Sequence, residues 1–143
     1  MPYRYLEDIA IADAAFEAWG PTAEEMIAAA SDATLNIMVE NLEAIADSHR
    51  RKFRVIDADM DMLLFQVLQE LIYFKDAERL LLRVKALRLE RRQGTWIATI
   101  EAGGETIDTE RHHLKVDVKA VTLHRLRAQP TVSGWSATVV VDV

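Results

Sequence analysis

Asp142 and Val143 follow a strand-like run, Val139-Val140-Val141, at the end of the sequence. Side chains alternate along a strand, so Asp142 shares a face with Ser136, Thr138 and Val140, while Trp135, Ala137, Val139 and Val141 take the other. If this end is docked in a sheet, the terminal carboxylate of Val143 is fixed beside that of Asp142. Two fixed anions repel, and a hard divalent cation relieves that repulsion, more so when a third carboxylate joins. The ordinary alternative is a pair of hydrated carboxylates. His124 ends a strand-like run of apolar and small residues, and taken alone it reads as a structurally satisfied histidine. His112 and His113 are adjacent, and neighbours on a strand face opposite ways, so they suit surface or hydrogen-bonded groups better than a metal pair.

Covalent and nucleotide chemistry find little support. Ser31, Ser48, Ser133 and Ser136 lie in no nucleophile motif, and there is no G-x-S-x-G, Walker loop, H-E-x-x-H or dinucleotide glycine fingerprint. With no cysteine, disulfides, thiol nucleophiles and zinc ribbons are excluded together. Lys and Arg number 17 against 23 Asp and Glu, a net charge of −6 that disfavours a protein whose main work is gripping phosphate backbones. Two basic clusters stand out against this balance, Arg50-Arg51-Lys52 with Arg54, and Arg88 with Arg91 and Arg92. Neither has interleaved aromatics. Each reads as a solvated strand edge that discourages aggregation, the alternative being a small docking patch for RNA or an acidic protein.

The elements that must position these residues are legible in part. At 143 residues, half of them hydrophobic, the chain fits one domain spanning 1–143 with a core that needs no staples. The opening residues lack the basic-then-apolar build of a signal peptide, and no apolar run approaches a membrane span, so a cytoplasmic protein is expected. Asp13 to Trp19 alternates as a strand and Gly20-Pro21 stops it. Thr22 and Glu25 have capping-box spacing, opening a helix to about Met38 with Met26, Ala29, Ala30, Ala33 and Ile37 on one stripe. A strand over His49–Ile56 leads to a helix over about Met60–Tyr73, capped by Asp57 or Asp59, with Leu64, Val67, Leu68, Leu71 and Ile72 on its apolar stripe. Strands are then expected over Leu80–Glu90, Thr95–Glu101, Leu114–Arg127 and Trp135–Val143, with turns at Gln93-Gly94 and Gly103-Gly104. Helices early and strands late give an α+β class, two helices packed on a mostly antiparallel sheet of about six strands.

Several segments, in order, resemble one family. They are the strand ending Trp19-Gly20, the Thr22/Glu25 helix start, Leu63-Leu64 leading to Glu70-Leu71-Ile72-Tyr73, and Val118-Lys119-Ala120-Val121-Thr122-Leu123-His124. With the terminal Val141-Asp142-Val143, they make the chain similar over nearly its full length to archease. Archeases are small acidic α+β proteins that assist RtcB-type ligases in tRNA splicing and RNA repair. The resemblance implies a protein cofactor and not an enzyme. It would dock near the ligase active site, hasten guanylylation of the ligase and permit multiple turnovers, meeting RNA at most through the ligase. The resemblance also implies a divalent-ion site, usually described as calcium, carried here by Asp13, Asp142 and Val143, with Mg2+ or Mn2+ as alternatives. Oxygen donors alone suit such hard ions and disfavour zinc. Lys119 and His124 are the positions it places toward the partner. One departure stands out: the family usually reads His-Thr-Ala-Asp before the first strand, where this chain has Ala10-Ile11-Ala12-Asp13. A register that put Asp8 in the metal role would break the spacing to Trp19-Gly20. Two rival readings are a metal-stabilised general chaperone or adaptor and a metal-dependent hydrolase.

Overall fold

The computed structural model describes residues 2–7 and 13–143, so Asp8 and Ala10 lie outside the described residues. The described elements run β1 (Tyr3–Leu6), β2 (Asp13–Gly20), α1 (Ala23–Met38), β3 (His49–Asp57), α2 (Met60–Glu78), β4 (Leu80–Arg92), β5 (Thr95–Thr106), β6 (Ala120–Val121), β7 (Arg127–Thr131) and β8 (Gly134–Asp142). One sheet has the order β1-β2-β8-β6, with β7 also paired to β8, and the other has the order β3-β5-β4. Every pairing is antiparallel. Each helix touches strands of both sheets, so the class is α+β as expected. No described helix is long and apolar enough to cross a membrane.

Both helices form where their stripes and caps require. Thr22 Oγ1 accepts the Glu25 N–H at 3.1 Å, one half of the capping box, and Met26, Ala29, Ala30, Ala33 and Ile37 are all buried. In α2 the cap is Asp59, whose own N–H donates to Asp57 Oδ1, and the five stripe residues are buried beneath the helix. The helix continues past Tyr73 to Glu78, because the stripe extends through Lys75, and Arg79 ends it in the left-handed region at φ 56. Phe16, Met26, Ile27, Leu63, Leu64, Leu68 and Ile100 fill the core between the helices and the sheets. Trp96 of the three-stranded sheet meets Trp135 of the other edge-on at 6.3 Å, and Arg91 stacks over Trp96 at 4.6 Å.

Three expectations need correction. The Gly103-Gly104 pair is no turn, since β5 runs through it to Thr106, whereas Gln93-Gly94 is a two-residue hairpin with φ of 51 and 76. Leu114–Arg127 is not one strand. It holds an isolated bridge at Leu114, the two residues of β6, and a turn with Arg125 at φ 57, before β7 starts at Arg127. Its alternating residues sit beside different partners in succession, so no long ladder forms. There are eight described strands, not about six, because β1 and β7 are short strands at sheet edges that carry too few residues to show a period.

Candidate metal-binding edge

The register of the larger sheet brings two of the predicted site residues together. In the antiparallel pairing of β2 with β8, Ala15 lies opposite Val140, Phe16 opposite Val139, and Asp13 directly opposite Asp142. Residues directly opposite in an antiparallel pair project to the same side, with Cβ atoms about 5 Å apart. On its other flank Asp142 is opposite Ala120, and its carbonyl accepts the Lys119 N–H at 2.9 Å. The two aspartates therefore sit at one end of the sheet, Asp142 with its backbone held from both sides and Asp13 from the β8 side. Asp13 is half-buried and Asp142 exposed, while Val143 packs its partly buried side chain against the core.

Sequence reading missed two side chains that hold this edge, both from α2. Gln69 Oε1 accepts the Val121 N–H at 2.8 Å. Lys75 is 6% exposed, pairs with Asp117 and Asp76, and donates to the Val118 carbonyl at 2.8 Å. Together they fix the segment that becomes β6 alongside Asp142. A signal for Lys75 did exist: it continues the Leu64, Leu68, Leu71 stripe, and a lysine on a buried stripe must find partners.

The remaining sequence-predicted residues separate. Lys119 is exposed and joins the edge through its backbone. His124 does not end a strand: it is exposed in the turn after β6, its N–H donating to Thr122 Oγ1 at 3.2 Å. No group of three or more His, Cys, Asp or Glu side chains surrounds a common point among the described residues. The side-chain donors at the edge are two carboxylates, hard oxygen ligands that fit a divalent alkaline-earth cation and need a further oxygen source to complete its shell.

His112 and His113 lie in a loop and not on a strand, and they part company there. His113 is exposed at φ 48, whereas His112 is fully buried. Its Nδ1 accepts the Asp108 N–H at 2.8 Å, so the ring proton resides on Nε2 and is donated to Glu105 at 2.7 Å. Glu105 also accepts from the Arg111 guanidinium and from the Ala46 N–H at 2.8 Å. The Arg111 bond first, then the Ala46 and His112 bonds, hold the Glu105 carboxyl down at about 2, burial opposing them. A folded value below the ordinary 4.5 means this group's stabilisation is fully present above about pH 4.5 and is lost as pH falls toward 2. Glu105→Gln is expected to lower stability at neutral pH by about 1–3 kcal/mol, through donors left unsatisfied, and to flatten the acid limb of a stability–pH curve. Urea unfolding across pH 2–7 checks both. The cleft beside this network, about 520 Å3 and lined by Ser48, His49, Arg79 and Arg111, contains none of the predicted site residues.

The profile of the Archease protein family (MTH1598/TM1083) matches residues 3–143. The chain belongs to the archease family. It is 31% identical to protein archease of Methanosarcina barkeri over 99% of this chain and 95% of that protein. Identity to the Pyrococcus furiosus archease is 32%, over 92% and 93% of the two chains. Protein 1598 of Methanobacterium thermoautotrophicum, solved in solution, superimposes with a TM-score of 0.85 at 26% identity, covering 99% of both chains. A crystal structure from Thermotoga maritima, described as an archease and possible chaperone, gives 0.62 at 18% identity over 96% and 97%, which supports the archease fold alone.

Proposed function

We propose that this archease-family protein is a non-catalytic activator of an RtcB-type RNA ligase, and that Asp13, Asp142 and the terminal carboxylate of Val143 hold a divalent cation at the edge it presents. The observation that carries the reading is the register placing Asp13 opposite Asp142 in a chain matched by the family profile over residues 3–143. Three carboxylates supply at most six oxygens, so water completes the roughly six to eight that calcium accepts, with magnesium or manganese as the alternatives. Such an ion would supply a fixed positive centre among these carboxylates. The chain's own contribution is geometric: β2, β6 and β8 keep the carboxylates from splaying, and Gln69 and Lys75 anchor β6 to α2. Lys119 and His124 are exposed on either side of β6, where a partner can reach them. The protein would act in the cytoplasm, where the ligase is charged with guanylate and joins RNA ends.

The test is multiple-turnover RNA ligation by the host's RtcB-type ligase at fixed GTP and manganese, with and without stoichiometric protein. Stimulation accompanied by faster guanylylation of the ligase is expected. Unchanged turnover, with both proteins folded, overturns the activator reading and favours a metal-stabilised adaptor. Phosphoester turnover by the protein alone would favour a hydrolase.

A further inference from the structure

The two basic clusters of the sequence end up on one surface. Strand β5 lies between β3 and β4, and its register aligns Arg54 with Thr99 and Thr99 with Arg88 in one row across the sheet. Alternation sorts each cluster by face. Arg51 and Arg91 turn away, to an ion pair with Glu78 and to the Trp96 ring. Arg50, Lys52, Arg54, Lys85, Arg88 and Arg92 are exposed on the three-stranded sheet. Lys52, Arg88, Thr99 and Glu101 line one shallow groove there, and Arg50 and Lys85 close together over the bare Cα of Gly103. The opposite face of the sheet carries Val55, Ala98 and Ile100 into the core.

We propose that this face binds the phosphate backbone of RNA without reading its bases. Three carboxylates oppose the six cations: Asp47 pairs with Arg50, Glu90 reaches Arg88 at 3.7 Å and Arg92 at 3.4 Å, and Glu101 lies in the groove. Lys52, Arg54 and Lys85 have no ion-pair partner among the described residues. In a chain of net charge −6, positive charge is thus concentrated where no helix covers it. Alternate residues of a strand stand about 6.8 Å apart, close to the interval between successive phosphates of an extended nucleic-acid strand, and β3 and β4 offer parallel rows about 10 Å apart. Protein interfaces are anchored by buried aromatic and apolar side chains. Among the described residues, this face exposes Ile56 and Ala86 of that kind, with Leu87 partly exposed in the groove. With no aromatic platform for stacking, binding is expected to be indifferent to base identity and steeply dependent on salt.

The inference stands apart from ligase activation, and its test contains no ligase. Binding of the purified protein to labelled oligouridylate and oligoadenylate is followed by fluorescence anisotropy over a salt series. Equal affinities and a log–log salt slope of about −3 are expected, the value for some four phosphate contacts on a single strand. Lys52→Gln, Arg54→Gln and Arg88→Gln combined should bring the slope to about −1 with the circular dichroism spectrum unchanged. The charge-reversed Glu triple variant should abolish binding. No binding at low salt, or an unaltered slope in the triple Gln variant, overturns the proposal. Competition by polyglutamate as effective as by RNA also overturns it, assigning the face to an acidic protein segment instead.

Discussion

Asp142→Asn is expected to change stability in opposite directions with and without metal. In a metal-free buffer the carboxylates of Asp13 and Asp142 are directly opposite and repel, a penalty of roughly 0.2–1 kcal/mol for like charges in cross-strand positions. Removing one charge there leaves the protein equally or slightly more stable. With calcium at a hundred times its dissociation constant, the native wild type gains about 2.7 kcal/mol by mass action, and the variant gains little. For a chain of this length that gain corresponds to roughly 5–10 °C in Tm. Thermal unfolding in EDTA and in calcium should therefore give curves whose order reverses, and Asp13→Asn should behave alike. A ligase-stimulation assay reads the same variants independently: both should lose stimulation while remaining folded. Residues appended after Val143 should weaken the calcium response too, by displacing the terminal carboxylate. If Asp142→Asn keeps the full calcium-induced rise in Tm, the ion is bound elsewhere and the edge does not hold it.

The components of this site differed in how visible they were beforehand. Asp142 was conspicuous, because a carboxylate after a valine run is a local pattern. Asp13 was not, since the β2–β8 register that places it opposite Asp142 is set by packing between distant segments and by no local pattern. The family resemblance supplied it. The helix stripes were readable for the same local reason, as periodicity is written within one element. Leu114–Arg127 misled because β-branched alternation signals extended backbone without saying whether a partner strand is available along its length. The basic face was hidden for a related reason. Arg54 and Arg88 are each ordinary in isolation, and only the intervening β5 brings them into one row. His112 lay beyond local reading too, its burial depending on Glu105 and the Asp108 backbone arriving on either side of the ring.

Gly104→Ala is expected to be far more damaging than the same change at Gly103 or Gly94, and the reason explains why this glycine was mistaken for a turn. Gly104 lies within β5, opposite His49 on one side and Leu82 on the other. A Cβ there would stand 1.7 Å from the Leu81 carbonyl oxygen, 2.8 Å from its carbon and 3.0 Å from the Leu82 Cα. All three are backbone atoms of β4, so no rotamer change relieves the overlap. Leu80, Leu81 and Leu82 are each buried to within 3% exposure, and β4 cannot retreat without lifting them from their contacts. A glycine inside a strand marks such a close approach as often as it marks a bend. The expected cost is about 3–5 kcal/mol, at the upper end for one substitution, with Tm falling by roughly 10 °C. Gly103→Ala supplies the internal control. Its Cβ would meet the side-chain atoms Asp47 Oδ1, Arg50 Nε and Lys85 Cγ, which can swing aside. Gly94→Ala meets nothing within 4 Å and bears only the strain of φ 76, about 1–2 kcal/mol. Urea titrations of the three variants should rank Gly104→Ala far below the others. Equal losses would mean that backbone contact between β4 and β5 does not limit this position, and that β4 shifts more freely than its buried leucines imply.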